Sequence, residues 1–109
     1  MPRINTRNAD EYISELKPFT SNGAISADWD EAGAYVVKSY STAIAVIYPD
    51  DNRAILNTAR YSATTSRHQQ EARIGAAKQG AAIFEISDPA AFETETGHRA
   101  RLRGAGGWN

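Results

Sequence analysis

From Ala34 to Tyr61 the chain is dominated by β-forming side chains, and polar stretches of helix-forming residues flank this region. In the segment Ala34–Tyr40, Tyr35, Val37 and Ser39 fall on one face of an extended chain, and Val36, Lys38 and Tyr40 on the other. Thr42–Tyr48 continues the pattern with Ile44 and Val46 on one face and Ala43, Ala45 and Ile47 on the other. Both faces are apolar, which predicts a central strand. The intervening Ser39-Tyr40-Ser41-Thr42 reads as a turn or as one strand interrupted by a bulge. Pro49-Asp50-Asp51-Asn52 has turn chemistry: proline presets φ, and the Asp and Asn side chains bond their own backbone. Arg53–Tyr61 then returns as a third strand of an antiparallel meander, and Ala81–Ile86 forms a fourth strand.

Helix signals bracket this sheet. Asn8 is positioned as a cap with Glu11 three residues on, Tyr12, Ile13 and Leu16 give an apolar stripe, and Pro18 ends the segment. Phe19–Gly33 is mixed, with a turn at Ser21-Asn22-Gly23, a short strand at Ala24–Ser26 and a loop from Asp28 to Gly33. Ser66 and Gln69 have capping-box spacing, and residues 67–79 are good helix formers ending at Gly80, so the spacing predicts a helix over Ser66–Gln79. Its inward face (His68, Ala72, Gly75, Ala76) is small enough for close approach to a sheet. Asp88-Pro89 opens a short helix through Phe92.

Together these elements predict an α+β fold. It has a small antiparallel sheet of three to four strands, two main helices packed largely on one face, and a basic Gly-rich C-terminal tail. The expected organisation is one domain over residues 1–96 and a flexible basic tail over 97–109. At 109 residues the chain fits one small domain. Apolar residues make up 41% of it, but 19 of them are alanine, so the core depends on few large side chains.

The chain has no cysteine, which excludes disulfides, thiolate metal sites and a cysteine nucleophile. No apolar run has the length of a membrane span, and residues 1–17 are too polar for a signal peptide. A cytoplasmic protein is expected. The net charge of −1 favours no polyanion, although residues 34–80 carry six basic and three acidic side chains.

The densest polar segment is Tyr61-Ser62-Ala63-Thr64-Thr65-Ser66-Arg67-His68-Gln69, running from a strand end into a helix N-terminus. Free N–H groups there favour anions, and hydroxyls and an arginine fork add donors. The plainer reading is that Thr64, Thr65 and Ser66 only satisfy cap and turn groups while His68 packs on the sheet. Ser39, Tyr40 and Thr42 form a second cluster that strand pairing can bring beside the first. Their tyrosines can stack on bases, or can be half-buried sheet residues with wet hydroxyls. Asp28, Asp30 and Glu31 surround Trp29 without the spacing of a calcium loop, and read as a solvated loop. His68 and His98 stand far apart in sequence, and no Ser–His–acid spacing is visible, so no catalytic residue, metal ligand or cofactor is assigned. Arg99, Arg101 and Arg103 among glycines faintly resemble an arginine–glycine RNA-binding segment, and fit a solubilising tail better.

Tyr35-Val36-Val37-x-Ser39-Tyr40-x-Thr42-x-Ile44-Ala45, followed by Tyr61-Ser62-x-Thr64-Thr65-Ser66-Arg67-His68-Gln69, resembles a family of small uncharacterised proteins encoded by bacteriophages and archaeal viruses. The resemblance implies a viral accessory protein in the host cytoplasm and carries no known activity. Two functions are expected. One is a non-enzymatic binding module that contacts nucleic acid through the junction at residues 61–69. The alternative is a viral inhibitor that blocks a host protein, such as a defence nuclease or its nucleotide signal.

Overall fold

The structure, a computed structural model, describes residues 1–22 and 24–101. Its elements run β1 (Arg3–Ile4), α1 (Ala9–Ser14), β2 (Phe19–Ser21), β3 (Ile25–Trp29), β4 (Tyr35–Ser39), β5 (Thr42–Tyr48), β6 (Arg53–Asn57), α2 (Ala63–Gln79), β7 (Ala82–Ile86) and α3 (Pro89–Thr96). All seven strands form one sheet in chain order. β2 to β6 are antiparallel neighbours, and the two outer strands, β1 and β7, pair in parallel with β2 and β6.

The α+β class and the β4–β5–β6 meander match expectation, but the expected sheet of three to four strands is too small. β1 and β2 are too short to show alternation, and β3 extends through Asp28 and Trp29, where polar side chains suggested a loop. The mixed sheet also replaces the purely antiparallel one. β7 follows β6 through the α2 crossover, and that connection returns it parallel.

α1 and α2 cover one face of the sheet, packing Ile13, Ala72 and Ala76 on Phe19, Tyr35, Val37 and Leu56. The chain's small residues matter here. A Cβ at Gly75 would sit 2.6 Å from Ile13 Cβ, so glycine is what permits α1 and α2 to touch. α3 lies on the other face, where Phe92 and Ala100 close over Val36, Val46 and Ile55.

β5 departs from the expected alternation. Val37 pairs with Ala45 but Lys38 pairs with Ala43, so Ile44 is an extra residue in β5. Ile44 and Ala45 therefore both join the helix-side core with Ile47, while Ala43 and Val46 join the α3 side. Ser39-Tyr40-Ser41-Thr42 is the tight turn of the β4–β5 hairpin, with Ser39 paired to Thr42 and Tyr40 at φ 57°.

The third strand ends at Asn57, short of the expected Tyr61. Beyond it, Ala43 keeps its β4 partner Lys38 but has no β6 residue opposite it. Asn57 Nδ2 donates to Ala43 O at 3.0 Å, and Ala43 N–H donates to Arg99 O at 2.8 Å. The segment Gly97–Arg101, the first part of the expected tail, thus runs back along the sheet with Ala100 fully buried. The rest of that tail, residues 102–109, lies outside the described residues. Among the described residues no helix is long and apolar enough to cross a membrane.

Candidate functional site

α2 begins three residues before the expected start. Its cap is Ser62, whose Oγ accepts from Thr65 N–H at 3.1 Å. Ser66 lies inside the helix and is exposed. The Ser66–Gln69 capping box does not form, because Gln69 Nε2 instead donates to Asn57 O at 2.7 Å and Ala59 O at 2.9 Å. Those two carbonyls lie at the last residue of β6 and on the chain just beyond it. Gln69 thereby fixes the β6–α2 loop.

One helical turn separates Thr65 from His68, so both face the sheet. There they meet Ser39 at the end of β4. Ser39 Oγ is hydrogen-bonded to His68 Nδ1 at 2.7 Å and to Thr65 Oγ1 at 3.0 Å. Ser62 Oγ donates to Thr65 Oγ1 at 3.2 Å, so cap and network are continuous. Ser39, Thr65 and His68 are all buried. Burial, helped by the Arg67 charge, holds the His68 pKa below its ordinary value and keeps the ring neutral near pH 7. Thr42, opposite Ser39 in the ladder, is also buried, and its Oγ1 has no hydrogen-bond partner among the described residues.

The sequence expectation that Ser39, Tyr40, Thr42 and the residue 61–69 segment lie together is met for Ser39, Tyr40, Thr42, Ser62, Thr65 and His68. The expectation that they form one accessible surface is not. Ser39, Thr42, Thr65 and His68 point inward. Tyr40, Thr64, Ser66 and Arg67 remain outside. The Tyr40 ring stacks obliquely over His68, with centroids 6.5 Å apart, and stays 46% exposed. Arg67 makes no ion pair with a described residue. Tyr61 and Gln69 are half-buried and belong to a second network. Tyr61 Oη donates to Ala100 O and accepts from Asn57 Nδ2, and burial pushes its phenol up. Asn57, buried at the end of β6, was not visible as a site residue in the sequence. Its only signal is that it closes an apolar run.

The Ser39–His68 distance is that of a nucleophile and its base. The pair lacks the rest of a catalytic arrangement. Both groups are sealed from solvent, and no described carboxylate bonds the imidazole. Among the described residues no group of three or more His, Asp or Glu side chains is placed to hold a metal. What the network does is physical: it ties the N-terminal turn of α2 to the β4–β5 hairpin.

A second polar group lies on the α3 side. Asp30 accepts from Ala32 N–H and Ala34 N–H at 2.9 Å each, and its Oδ2 lies 2.8 Å from His98 Nε2. Burial opposes its charge, but these hydrogen bonds outweigh it and hold the carboxyl below its usual value. Asp30 is thus a turn-holding residue, whereas Asp28 and Glu31 are exposed. A cleft of about 360 Å³ opens beside them, lined by Thr20, Ser26, Asp28, Trp29, Lys38 and His98 among others.

The chain belongs to a family of unknown function, DUF8033, whose model matches residues 8–85. The matched stretch runs from the cap of α1 into β7 and contains the whole Ser39–Thr65–His68 network. No curated protein matches the chain, and no solved structure does.

Proposed function

We propose that this chain is a small, non-enzymatic accessory protein of viral origin that binds nucleic acid in the cytoplasm of the host cell. The contact is the surface over the β6–α2 junction. The observation that carries this reading is the exposed Tyr40 ring lying against His68, whose chain neighbour Arg67 is exposed and has no ion-pair partner among the described residues. Thr64 and Ser66, exposed on the first turns of a 17-residue helix, add hydroxyls where the helix dipole is positive. A ring, a free guanidinium and hydroxyl donors suit a base next to a phosphate. The resemblance of the Ser39–Ala45 and Tyr61–Gln69 blocks to proteins of bacteriophages and archaeal viruses supports a viral origin. Titration of labelled single- and double-stranded oligonucleotides at low and moderate salt tests it. Arg67→Ala should flatten the salt dependence by about one unit. Tyr40→Ala should weaken single-strand binding by about 1–3 kcal/mol. Absence of binding to either form at low salt overturns the reading.

A second reading, an inhibitor that covers a host protein such as a defence nuclease, is favoured by Trp29. This side chain is 41% exposed and stands between exposed Asp28 and Glu31 beside the open cleft. Pull-down from infected host lysate with and without nuclease separates the two. Capture that survives nuclease and is lost in Trp29→Ala supports the protein target.

A further inference from the structure

The two edges of the sheet are built differently. β1 has two residues, follows Pro2 and carries Arg3, features that discourage pairing with another chain. β7 has five residues, Ala82-Ile83-Phe84-Glu85-Ile86, with no proline, lysine or bulge. Among the described strands it pairs with β6 alone. Its one charge, Glu85, is already neutralised by Arg73 at 2.8 Å. Phe84, in its middle, is 54% exposed.

The direction of its free main-chain groups follows from the ladder. Ala82 N–H donates to Asn52 O, and Ile86 O accepts from Thr58 N–H, so residues 82, 84 and 86 turn their groups toward β6. Alternate residues of a strand bond to opposite sides. Ile83 and Glu85 therefore present N–H and C=O outward, and no described residue takes them.

We propose that this edge pairs antiparallel with β7 of a second copy, about a two-fold axis at Phe84. Ile83 then exchanges both main-chain bonds with Glu85 of the second copy, and Glu85 with its Ile83. The outward groups of this strand are thus complementary to themselves. Phe84 meets its counterpart in the non-bonded position, where side chains approach closest. It points to the face of Ile55, so the two rings meet beside the shallow apolar groove that Ile55 and Ile86 line. An axis at Glu85 would oppose two carboxylates directly, and an axis at Ile83 would shorten the overlap. Only the axis at Phe84 pairs all five residues without opposing like charges. Five strand residues from each copy are far fewer than the roughly 20–30 residues a side of a standard interface, which makes the dimer a weak one.

The test measures molar mass by sedimentation from about 1 μM to 1 mM, the range of weak dimers. Phe84→Lys should weaken association at least about tenfold with an unchanged circular dichroism spectrum. The chain has no cysteine, so Phe84→Cys introduces a single thiol. The non-bonded spacing of about 4.5 Å lies within disulfide reach. Phe84→Cys should therefore oxidise to a covalent dimer much faster than Glu31→Cys, an exposed control on the β3–β4 turn. A wild-type monomer throughout the range, a dimer that persists in Phe84→Lys, or equal oxidation of the two cysteine variants overturns the proposal.

Discussion

Ser39 Oγ lies 2.7 Å from His68 Nδ1 across 29 positions of sequence, and both side chains are buried. Ser39 Oγ is the hydrogen-bond partner of His68 Nδ1, and Thr65, one turn earlier in α2, shares the same hydroxyl. Removing either leaves a polar atom in a dry place, where the cost exceeds the value of the bond itself. Ser39→Ala should therefore destabilise the fold by about 1–3 kcal/mol in chemical denaturation, with an unchanged slope. Loss below about 0.5 kcal/mol would mean that His68 finds water instead.

The same burial makes His68 a source of pH dependence. Its folded pKa lies below the ordinary 6.5, so the unfolded chain takes the proton first as the pH drops. Its contribution to stability is complete above about pH 6.5 and is lost as the pH falls below that value. Melting temperature measured from pH 8 to pH 5 should show this decline in the wild type. His68→Gln, though less stable overall, should be flatter across that window. Equal slopes in the two proteins would remove His68 from the account.

The meander, the turn at Pro49–Asn52 and the Asp88 cap of α3 were legible in the sequence because each rests on local chemistry. Strand alternation, proline with Asp and Asn, and a capping aspartate need no knowledge of neighbours. The outer strands were not legible. β1 and β2 have two and three residues, and they are strands only because the sheet is there to pair them. The Ile44 bulge inverted the expected faces of half of β5, since a period-2 reading cannot see an extra residue. At the candidate site, the residue types were right and their directions were not. A run containing Ser62, Thr64, Thr65 and Ser66 offers several cap residues, and only tertiary contact decides which one caps.

That decision has a direct check. Ser62→Ala removes the acceptor of Thr65 N–H and should cost about 1 kcal/mol. Ser66→Ala replaces an exposed side chain inside the helix and should change stability by less than about 0.5 kcal/mol. The reverse order in urea denaturation would restore Ser66 as the cap.

Gly75 separates two opposing effects. In an open helix, alanine in place of glycine gains about 1 kcal/mol. Here its Cβ would lie 2.6 Å from Ile13 Cγ2 and 2.9 Å from Asp10 O, one of them a backbone atom that cannot swing away. Separating α1 from α2 disturbs a packed core, an effect worth about 1–3 kcal/mol, and this outweighs the helical gain. Gly75→Ala should lower the melting temperature, and a rise would show that α1 can move aside freely.

The last prediction concerns what holds residues 98–101 against the sheet. Glu93 Oε2 accepts from Ala100 N–H at 2.8 Å and Arg101 N–H at 2.6 Å, and Oε1 accepts from Arg101 Nε at 2.9 Å. These bonds, the Arg101 and Ala100 N–H groups first, hold the Glu93 carboxyl below its usual value. The clamp acts at a distance through Arg99, whose carbonyl is the partner of Ala43 N–H at the end of β5 that has no β6 residue opposite it. Glu93→Ala removes all of these acceptors at once and should let the segment lift from the sheet. Ala43 N–H would then lose its partner while the ladder from Ala45 to Tyr48 keeps its own. Hydrogen exchange read by NMR should therefore speed up at Ala43 and leave Val46 and Ile47 protected. If Ala43 remains as slow as in the wild type, the burial of Ala100 and the Tyr61 hydroxyl hold the segment without Glu93.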